Sequence, residues 1–210
     1  KTIDWMYKNY KERWVRTVFE TAGGTVFIVS SGLFRSANKG KTWEQVRVGV
    51  GEMKLAESNG VLLATNKDGI VRSIDDGQTW NRVISEGGEG IAVERIDGGF
   101  AAIVNNTKTQ TNTLHISMDN GKTWNVIGED LQPSWSSLFL NKIGLMKSPS
   151  DILSIKQMGK YLICGRPDGY FRSSDMGKTW QQLSLPSTEN FGFNLSVSGN
   201  VLYVMPYKGC

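Results

Sequence analysis

One eight-residue pattern occurs four times in this chain of 210 residues and limits what the chain can fold into. The pattern is Ser-x-Asp-x-Gly-x-Thr-Trp, with Asn38 in place of the Asp in the first copy. A lead-in of Gly, two apolar residues and Arg precedes three copies, whereas Thr113-Leu114-His115-Ile116 precedes the third in chain order. The four copies are 36–43 (SANKGKTW), 73–80 (SIDDGQTW), 117–124 (SMDNGKTW) and 173–180 (SSDMGKTW). The repeating unit is therefore longer than the pattern itself.

The pattern, called the motif from here on, has the residues of a tight turn between two antiparallel strands. A carboxylate or amide at the third position can accept hydrogen bonds from backbone N–H groups just ahead of it, and the Gly tolerates a positive φ. The Trp returns a large apolar ring to the next layer of structure. We assign structural roles in the turn to the third and last motif residues: Asn38, Trp43, Asp75, Trp80, Asp119, Trp124, Asp175 and Trp180.

In these residues the motif resembles the Asp-box, or BNR, repeat of sialidase-like β-propellers, a group that includes sortilin-type receptors, some glycoside hydrolases and photosystem II assembly factors. The resemblance implies an all-β propeller of about five blades of antiparallel strands. It implies little about activity, because in that family the boxes lie on the outer rim, away from the central channel. It also implies a secreted or extracytoplasmic protein, nearest to the non-catalytic assembly-factor and sortilin-type propellers.

The spacing of the motifs divides a single domain into blade-sized units. Successive motif Trp residues stand 37, 44 and 56 residues apart, and the first two intervals are blade periods. The long third interval predicts an insertion at 131–149, which is either a loop folded over a blade edge or a flap that binds a partner. We predict blades at about 15–50, 51–86, 87–130 and 150–186, and an incomplete blade at 190–210.

How the propeller ring closes depends on the two ends of the sequence. The apolar residues of segment 1–14 fit either a helix or a half-buried strand, and we expect this segment to close a five-bladed ring. Closure would remove the exposed strand edges that an open array leaves. The alternative is that the chain is a part of a six- or seven-bladed propeller. Such a part would expose an unpaired strand edge, which favours dimerisation or aggregation.

Composition and charge argue against several classes of protein. Twenty-four Gly, five Pro and seven Trp suit a chain of many short strands and tight turns. The net charge is +4, but Lys and Arg are scattered among Asp and Glu, which indicates a solvated surface and no nucleic-acid partner. No apolar run is long enough to predict a membrane span. The oligomeric state is left open.

The two cysteines, Cys164 and Cys210, allow two interpretations. They could form one disulfide in an exported protein, because matching strands of adjacent blades would carry them near one another. Two separate thiols in a reducing compartment fit the count equally well.

The residues offer little material for catalysis. A sialidase holds the substrate carboxylate with converging arginines, but Arg35, Arg72 and Arg172 occupy one repeat position, which spreads them around the ring. Other glycosidases need two facing carboxylates, for which the candidates are Glu20, Glu57, Glu94 and Asp97. With one His, a histidine triad or a metal cluster has almost no material. We predict no catalytic residue, no metal and no cofactor, and lean towards a protein that is not an enzyme.

A binding or assembly module that recognises a partner protein or glycan is the more economical interpretation. The candidate ligand-binding residues are Arg35, Arg72, Arg166 and Arg172, which could form a basic patch for acidic groups, and Trp135, an aromatic residue outside the repeats. Alternatively, the arginine stems cover the neighbouring motif Trp with cation–π contact. Two other functions stay open: a glycoside hydrolase with carboxylates on the channel face, and a repeat lectin with one sugar site between each pair of blades.

Overall fold

A computed structural model describes Lys8 and eight longer parts of the chain, 15–48, 52–84, 88–106, 111–127, 145–146, 154–166, 169–184 and 192–207. The regular structure in the longer parts is β-strand throughout, and the strands form five antiparallel sheets. The expectation of an all-β chain is therefore confirmed.

Sheets 1, 2 and 3 each contain four strands whose spatial order is their chain order. Sheet 1 comprises β1 (Thr17–Glu20), β2 (Val26–Val29), β3 (Gly32–Ser36) and β4 (Glu44–Val48). Sheet 2 comprises β5 (Leu55–Ser58), β6 (Val61–Asn66), β7 (Gly69–Ser73) and β8 (Asn81–Ile84). Sheet 3 comprises β9 (Gly90–Ile96), β10 (Gly99–Asn106), β11 (Thr111–Ser117) and β12 (Asn125–Ile127). In each sheet the motif turn joins the third strand to the fourth.

Sheet 4 repeats this order and gains one strand from the expected insertion. Its repeat strands are β14 (Ser154–Met158), β15 (Tyr161–Arg166), β16 (Gly169–Ser173) and β17 (Trp180–Gln182). The added strand β13 (Leu145–Met146) pairs antiparallel with β17 at the edge of the sheet. Sheet 5 consists of β18 (Gly192–Ser198) and β19 (Val201–Tyr207). Part of the 131–149 segment therefore extends a sheet edge.

The sheets stack face to face in chain order, and the first strands of sheets 2 to 5 lie next to one another. Strand β9 contacts β5 and β14, and β14 also contacts β18. The hydrophobic clusters cross the boundaries between sheets: Phe27 and Leu33 of sheet 1 share one with Leu62 of sheet 2, and Leu63 of sheet 2 shares another with Phe100 of sheet 3. Each middle sheet is thus covered on both faces.

This stacking explains the sequence of the second strands. Strands β6 and β10 are runs of buried residues, because both faces of the strand meet a neighbouring sheet. By contrast, β1 alternates between half-buried and exposed residues. Full burial of a Leu or Phe side chain contributes about 1.5–3 kcal/mol, so the boundaries between sheets hold most of the stability of the stack.

Hydrogen bonds from three motif side chains close each turn, as sheet 2 shows. Both carboxylate oxygens of Asp75 accept from the backbone N–H of Thr79, at 2.9 and 3.0 Å, and the Thr79 hydroxyl donates to Oδ2 at 2.5 Å. The Ser73 hydroxyl donates to Asp75 Oδ1 and accepts from the N–H of Gly77 at 2.9 Å. The side chain of Asp75 therefore fixes the two ends of the turn to each other. The same pattern recurs at the other three motifs.

The fourth and fifth motif residues place the turn against the preceding sheet. Asp76 and Gly77 have φ values of 59° and 78°, in the left-handed region. A Cβ on Gly77 would lie 2.4 Å from the Phe27 ring of sheet 1, so only glycine allows this approach. Trp80 packs edge-on against the same ring, with centroids 6.4 Å apart, and its Nε1 donates to the Gly77 oxygen. The motif is therefore a joint between sheets as well as a turn.

Two expectations fall on residues outside the described parts. The segment 1–14, expected to close the ring, is described only at Lys8, and residues 131–144 and 147–149 of the expected insertion are not described. Ring closure and the number of blades therefore stay predictions. Within the described residues, no helix has the length and apolar character needed to cross a membrane.

Replacing Asp75 with Asn is expected to reduce stability near neutral pH and much less in acid. Hydrogen bonds from Thr79 and Ser73 lower the pKa of Asp75 from 3.8 to about 2. A carboxyl with a lowered pKa in the folded state stabilises the protein above its ordinary pKa, and this contribution is lost as the pH falls towards 2. The amide of Asn does not titrate, and Asn38 shows that an amide fits the turn.

Urea unfolding of the two proteins at several pH values between about 6 and 2 measures this effect. The difference in free energy of unfolding should shrink steadily as the pH falls through the interval between the two pKa values. A difference that stays constant with pH would contradict the role assigned to the Asp75 carboxylate.

Replacing Lys39 with Asn is expected to raise the free energy of unfolding by about 0.5–1 kcal/mol, because Lys39 is exposed and has a φ of 58°. Asn tolerates left-handed backbone better than Lys does, and Asn120 occupies the equivalent position in sheet 3. Lys41→Asn is the matched control, since Lys41 is equally exposed in the same turn without a positive φ. Equal effects of the two substitutions on thermal and urea unfolding would show that backbone strain is not involved.

Candidate functional site

The arginines at the ends of β3 and β7 each reach the motif of the following sheet. Arg35 Nε donates to the backbone oxygen of Asp76 at 2.7 Å, and Arg72 Nε donates to that of Asn120 at 2.8 Å. Asp76 and Asn120 both occupy the fourth motif position. The same hydrogen bond therefore links sheet 1 to sheet 2 and sheet 2 to sheet 3.

The link between sheets 1 and 2 is reinforced by charge. Arg35 also donates to Asp76 Oδ2 at 2.6 Å and to Glu44 Oε1 at 2.7 Å, and Thr25 Oγ1 donates to the same oxygen of Asp76. Burial by itself would lower the pKa of Arg35, but the hydrogen bonds and charges of Asp76 and Glu44 raise it above its ordinary value. With 11% of its side chain exposed, Arg35 is a fixed part of this boundary.

An apolar contact replaces this link between sheets 3 and 4. In sheet 3 Ile116 pairs with Ala101, as Arg72 pairs with Leu63 in sheet 2. Ile116 therefore occupies the position that arginine has in the other repeats. The fourth motif residue of sheet 4, Met176, packs against the hydrophobic cluster that contains Ile116. Both members of the pair have therefore changed from polar to apolar.

His115 and Arg172 also have defined surroundings. His115 precedes the arginine position by one residue, is buried, and has its Nε2 3.0 Å from Thr113 Oγ1. Arg172 donates to Gln181 Oε1 at 2.9 Å, and its guanidinium lies 5.2 Å from the centre of the Tyr161 ring. The aromatic contact expected for the arginines is thus made to a Tyr in sheet 4.

The expected ligand-binding residues do not come together in one place. Arg35, Arg72 and Arg172 belong to three different sheets and contact three different sets of partners. The side chain of Arg166 and the whole of Trp135 lie outside the described residues, so their roles stay predictions. Cys164 is buried on β15, whereas Cys210 is not described, and their pairing also stays a prediction.

A groove of about 430 Å³ lies between sheets 1 and 2, beside the Arg35 link. This volume is in the range of small-ligand sites. The groove is formed by the β1–β2 turn, the end of β5 and the motif turn of sheet 2. It is lined by Thr21, Gly23, Arg35, Glu57, Gly60, Leu62, Ile74, Asp75, Asp76 and Gln78.

Two carboxylates of the groove retain an oxygen that accepts no hydrogen bond from a described residue. Glu57 Oε2 accepts from the backbone N–H of Ala22 at 2.6 Å, which leaves Oε1. Asp76 Oδ2 accepts from Arg35 and Thr25, which leaves Oδ1. The carboxylate of Asp75, by contrast, uses both oxygens inside its own turn. Glu57 and Asp76 can therefore each receive a donor from a ligand.

A second polar cluster lies on the first strands, away from this groove. Glu94 of β9 and Lys156 of β14 form an ion pair across the boundary between sheets 3 and 4. Burial raises the pKa of Glu94, although Lys156 opposes the shift. Burial lowers the pKa of Lys54, and the charge of Lys156 adds to the effect while Glu52 opposes it. Two lysines and two glutamates thus influence one another near the first strands.

The four carboxylates proposed from the sequence as catalytic candidates have different surroundings in the structure. Glu20 is exposed on β1, Glu57 lines the groove, and Glu94 is paired with Lys156. The backbone N–H of Asp97 donates to Gln157 Oε1 at 2.5 Å, a contact between sheets 3 and 4. The described contacts of Glu57 and Glu94 lie at different boundaries and do not place the two as a facing pair.

Sequence reasoning missed Asp76 and Ile74 as site residues. Both occupy variable motif positions, which the search for repeated residues passes over. The sequence signal that could have found them is the difference between repeats at these variable positions. In the structure Asp76 accepts a hydrogen bond from the preceding sheet, and Ile74, a large apolar residue, is 68% exposed. If one boundary between sheets carries the binding site, its distinctive residues are expected at such variable positions.

Replacing Arg72 with Ala is expected to lower the free energy of unfolding by about 1–3 kcal/mol, because the Asn120 carbonyl loses a charged donor. Arg82→Ala is the matched control. Arg82 is half exposed and forms a surface ion pair with Asp68 at 3.4 Å, which contributes less than about 1 kcal/mol. Urea unfolding of both variants measures the two losses, and an equal loss would mean that Arg72 does not join the sheets.

Comparisons with known proteins bear on the fold. The chain matches no protein-family profile and no curated protein. Among solved structures, it is similar to YCF48 from Cyanidioschyzon merolae, with a TM-score of 0.57 and 12% identity over 91% of this chain and 71% of that one.

Two enzymes are similar as well. The GH74 xyloglucanase from Xanthomonas campestris has a TM-score of 0.57 and 15% identity, over 80% of this chain and 30% of the xyloglucanase. A Hadza microbial sialidase has a TM-score of 0.51 and 16% identity, over 81% of this chain and 46% of the sialidase. The chain thus spans less than half the length of either enzyme. At these identities the likeness concerns the fold alone, and it supports a β-propeller.

Proposed function

We propose that this chain is a non-catalytic binding or assembly module that holds a segment of a partner protein in the groove between sheets 1 and 2. The observation that carries the proposal is the groove itself. It combines a ligand-sized volume, hydrogen-bonding groups held by the Arg35 link, and the exposed apolar side chain of Ile74. Recognition sites typically combine a few fixed polar groups with apolar surface in this way.

The chemistry of the groove carboxylates favours binding over hydrolysis. A glycosidase needs one carboxyl that stays protonated to act as the acid. Hydrogen bonds from its own turn lower the pKa of Asp75, and Asp76 is held next to the Arg35 guanidinium. The lowered pKa of Asp75 favours its ionised form, in which a carboxylate is an acceptor and not an acid.

The grooves between sheets also differ from one another, which favours a single partner site over one sugar site per blade. Strand pairing shows that Glu57 of sheet 2 corresponds to Arg95 of sheet 3 and to Gln157 of sheet 4. The side chains at equivalent positions thus differ in charge. A repeat lectin would need the same sugar-binding groups at each boundary.

A glycoside hydrolase is the second candidate function, and Glu94 is the residue that favours it. Its raised pKa and partial burial are properties of a general acid, and it lies on β9, a first strand that contacts β5 and β14. The ion pair with Lys156 counts against this role, because the ammonium stabilises the ionised carboxylate.

For the architecture, we propose five blades with the sequence-derived boundaries, closed by residues 1–14. The succession of five sheets in the described residues supports this arrangement. We retain the pairing of Cys164 with Cys210 and a location outside the cytoplasm as parts of the same proposal.

A binding screen combined with a turnover assay tests the function. The labelled protein is applied to a peptide array and a glycan array, and sialosides, xyloglucan oligosaccharides and aryl glycosides are offered as substrates. We expect binding to a set of peptides and no hydrolysis. Ile74→Ser should weaken peptide binding by about tenfold, because it removes apolar contact area in the groove.

Met118→Ser is the matched control, since Met118 occupies the same motif position in sheet 3 and is 56% exposed outside the groove. This variant should bind peptides as the unchanged protein does. Hydrolysis of any glycoside that is abolished by Glu94→Gln would overturn the non-catalytic proposal in favour of the second candidate. Binding that both serine variants weaken equally would rule out the groove as the site.

A further inference from the structure

The groove between sheets 1 and 2 has a charge opposite to that of the whole chain. Its lining contains one arginine and three carboxylates, Glu57, Asp75 and Asp76, which gives a net charge of −2. The guanidinium of Arg35 is further matched by Glu44, which lies 2.7 Å from it. The chain as a whole carries a net charge of +4. The groove is therefore an acidic site on a basic protein.

The arginine in this groove does not offset the acidity towards a ligand. Its Nε, Nη1 and Nη2 each donate to an oxygen of Asp76 or Glu44. Three of its five N–H groups are engaged in this way, and its positive charge is matched by the carboxylates of Asp76 and Glu44. The groove presents spare acceptors, on Glu57 and Asp76, where the expected basic patch would have presented spare donors.

Apolar surface lies next to these acceptors. Ile74 lines the groove with 68% of its surface exposed, and Leu62, 1% exposed, also belongs to the lining. The occupant is therefore expected to offer an apolar group as well as hydrogen-bond donors. Lysine and arginine side chains next to an aliphatic residue have this combination, because their own stems are apolar.

We propose that the groove binds a basic segment of a partner polypeptide, in which a Lys or Arg side chain donates to Glu57 and Asp76 and an adjacent aliphatic side chain packs on Ile74. This inference rests on the proposed binding function and specifies the chemistry of the partner. A groove of about 430 Å³ accommodates one long side chain with its neighbours along an extended segment. Arg35 and Thr25 already hold the Asp76 carboxylate by hydrogen bonds. The side chain of Asp76 therefore loses little conformational freedom when the segment binds.

The observations favour a basic peptide over a metal ion. Among the residues that the structure describes, no group of three or more His, Cys, Asp or Glu side chains is arranged to hold a metal. A guanidinium or an ammonium group carries several N–H donors and can bind two carboxylates. One free oxygen each from Glu57 and Asp76 is therefore sufficient for such a group.

Fluorescence anisotropy with designed peptides tests this inference. The probe is a short fluorescein-labelled peptide of alternating leucine and lysine, and the comparison peptides carry glutamate or serine in place of lysine. We expect the lysine peptide to bind at least about tenfold more tightly than the glutamate peptide, and the preference to decrease as salt is added. The overall charge of the protein favours the opposite order, so the preference has to come from a local site.

Two pairs of variants locate the binding. Glu57→Gln is expected to weaken binding of the lysine peptide about fivefold and to leave the serine peptide unaffected, because the amide keeps an acceptor but loses the charge. Glu20→Gln is its control: strand pairing gives Glu20 the same position in sheet 1, where it is exposed and outside the groove. Ile74→Ser should weaken both peptides, and Met118→Ser neither. Thermal unfolding checks that all four variants fold.

The outcomes separate the inference from the function on which it rests. If Ile74→Ser weakens binding but the lysine and glutamate peptides bind equally, the groove is a binding site and the basic partner is wrong. Tighter binding of the glutamate peptide, or loss of glycan binding in Ile74→Ser, would overturn the inference in the same way. If neither the peptides nor the arrays show binding that depends on Ile74, the proposed function fails as well.

Discussion

The hydrogen bonds of the motif turn are the constraint on which the rest of the structure depends. The third residue, such as Asp75, fixes both ends of a turn whose fourth and fifth residues have left-handed backbone. The cost of that backbone is about 1 kcal/mol for a residue with a side chain, which the carboxylate contacts offset. The conformation brings Gly77 against Phe27 of the preceding sheet. A local turn thereby sets the spacing between two sheets.

The fold could be predicted from the sequence because the residues that determine it repeat. Four copies of one motif indicate short antiparallel sheets, and each of the first four sheets contains one copy. The site could not be predicted in the same way. Arg35 is predicted from the sequence as a ligand-binding residue, and in the structure three of its N–H groups donate to Glu44 of the same sheet and to Asp76 of the next one. Sequence spacing does not show which donors are already paired across a boundary.

Variation at two positions shows how each boundary is matched. Arg35 meets Asp76 and Arg72 meets Asn120, whereas Ile116 belongs to the apolar cluster that contacts Met176. An arginine opposite a methionine would lose part of its partners, and an isoleucine opposite an aspartate would leave the carboxylate without its cation, so a change on one side favours a change on the other. The chemistry of the two positions therefore helps to determine which sheet can follow which.

The same variation distinguishes the boundary between sheets 1 and 2 from the next one. Repetition gives every boundary a turn, a first strand and a motif, but Glu57 is replaced by Arg95 and Asp76 by Asn120 at the next boundary. A ligand that needs two carboxylates can therefore distinguish the first boundary from the second without any difference in backbone. This boundary is also the one at which Arg35 makes contacts with two carboxylates and a carbonyl, so its acceptors are held in place before a ligand arrives. The contacts that join sheets 1 and 2 thus also preorganise the site between them.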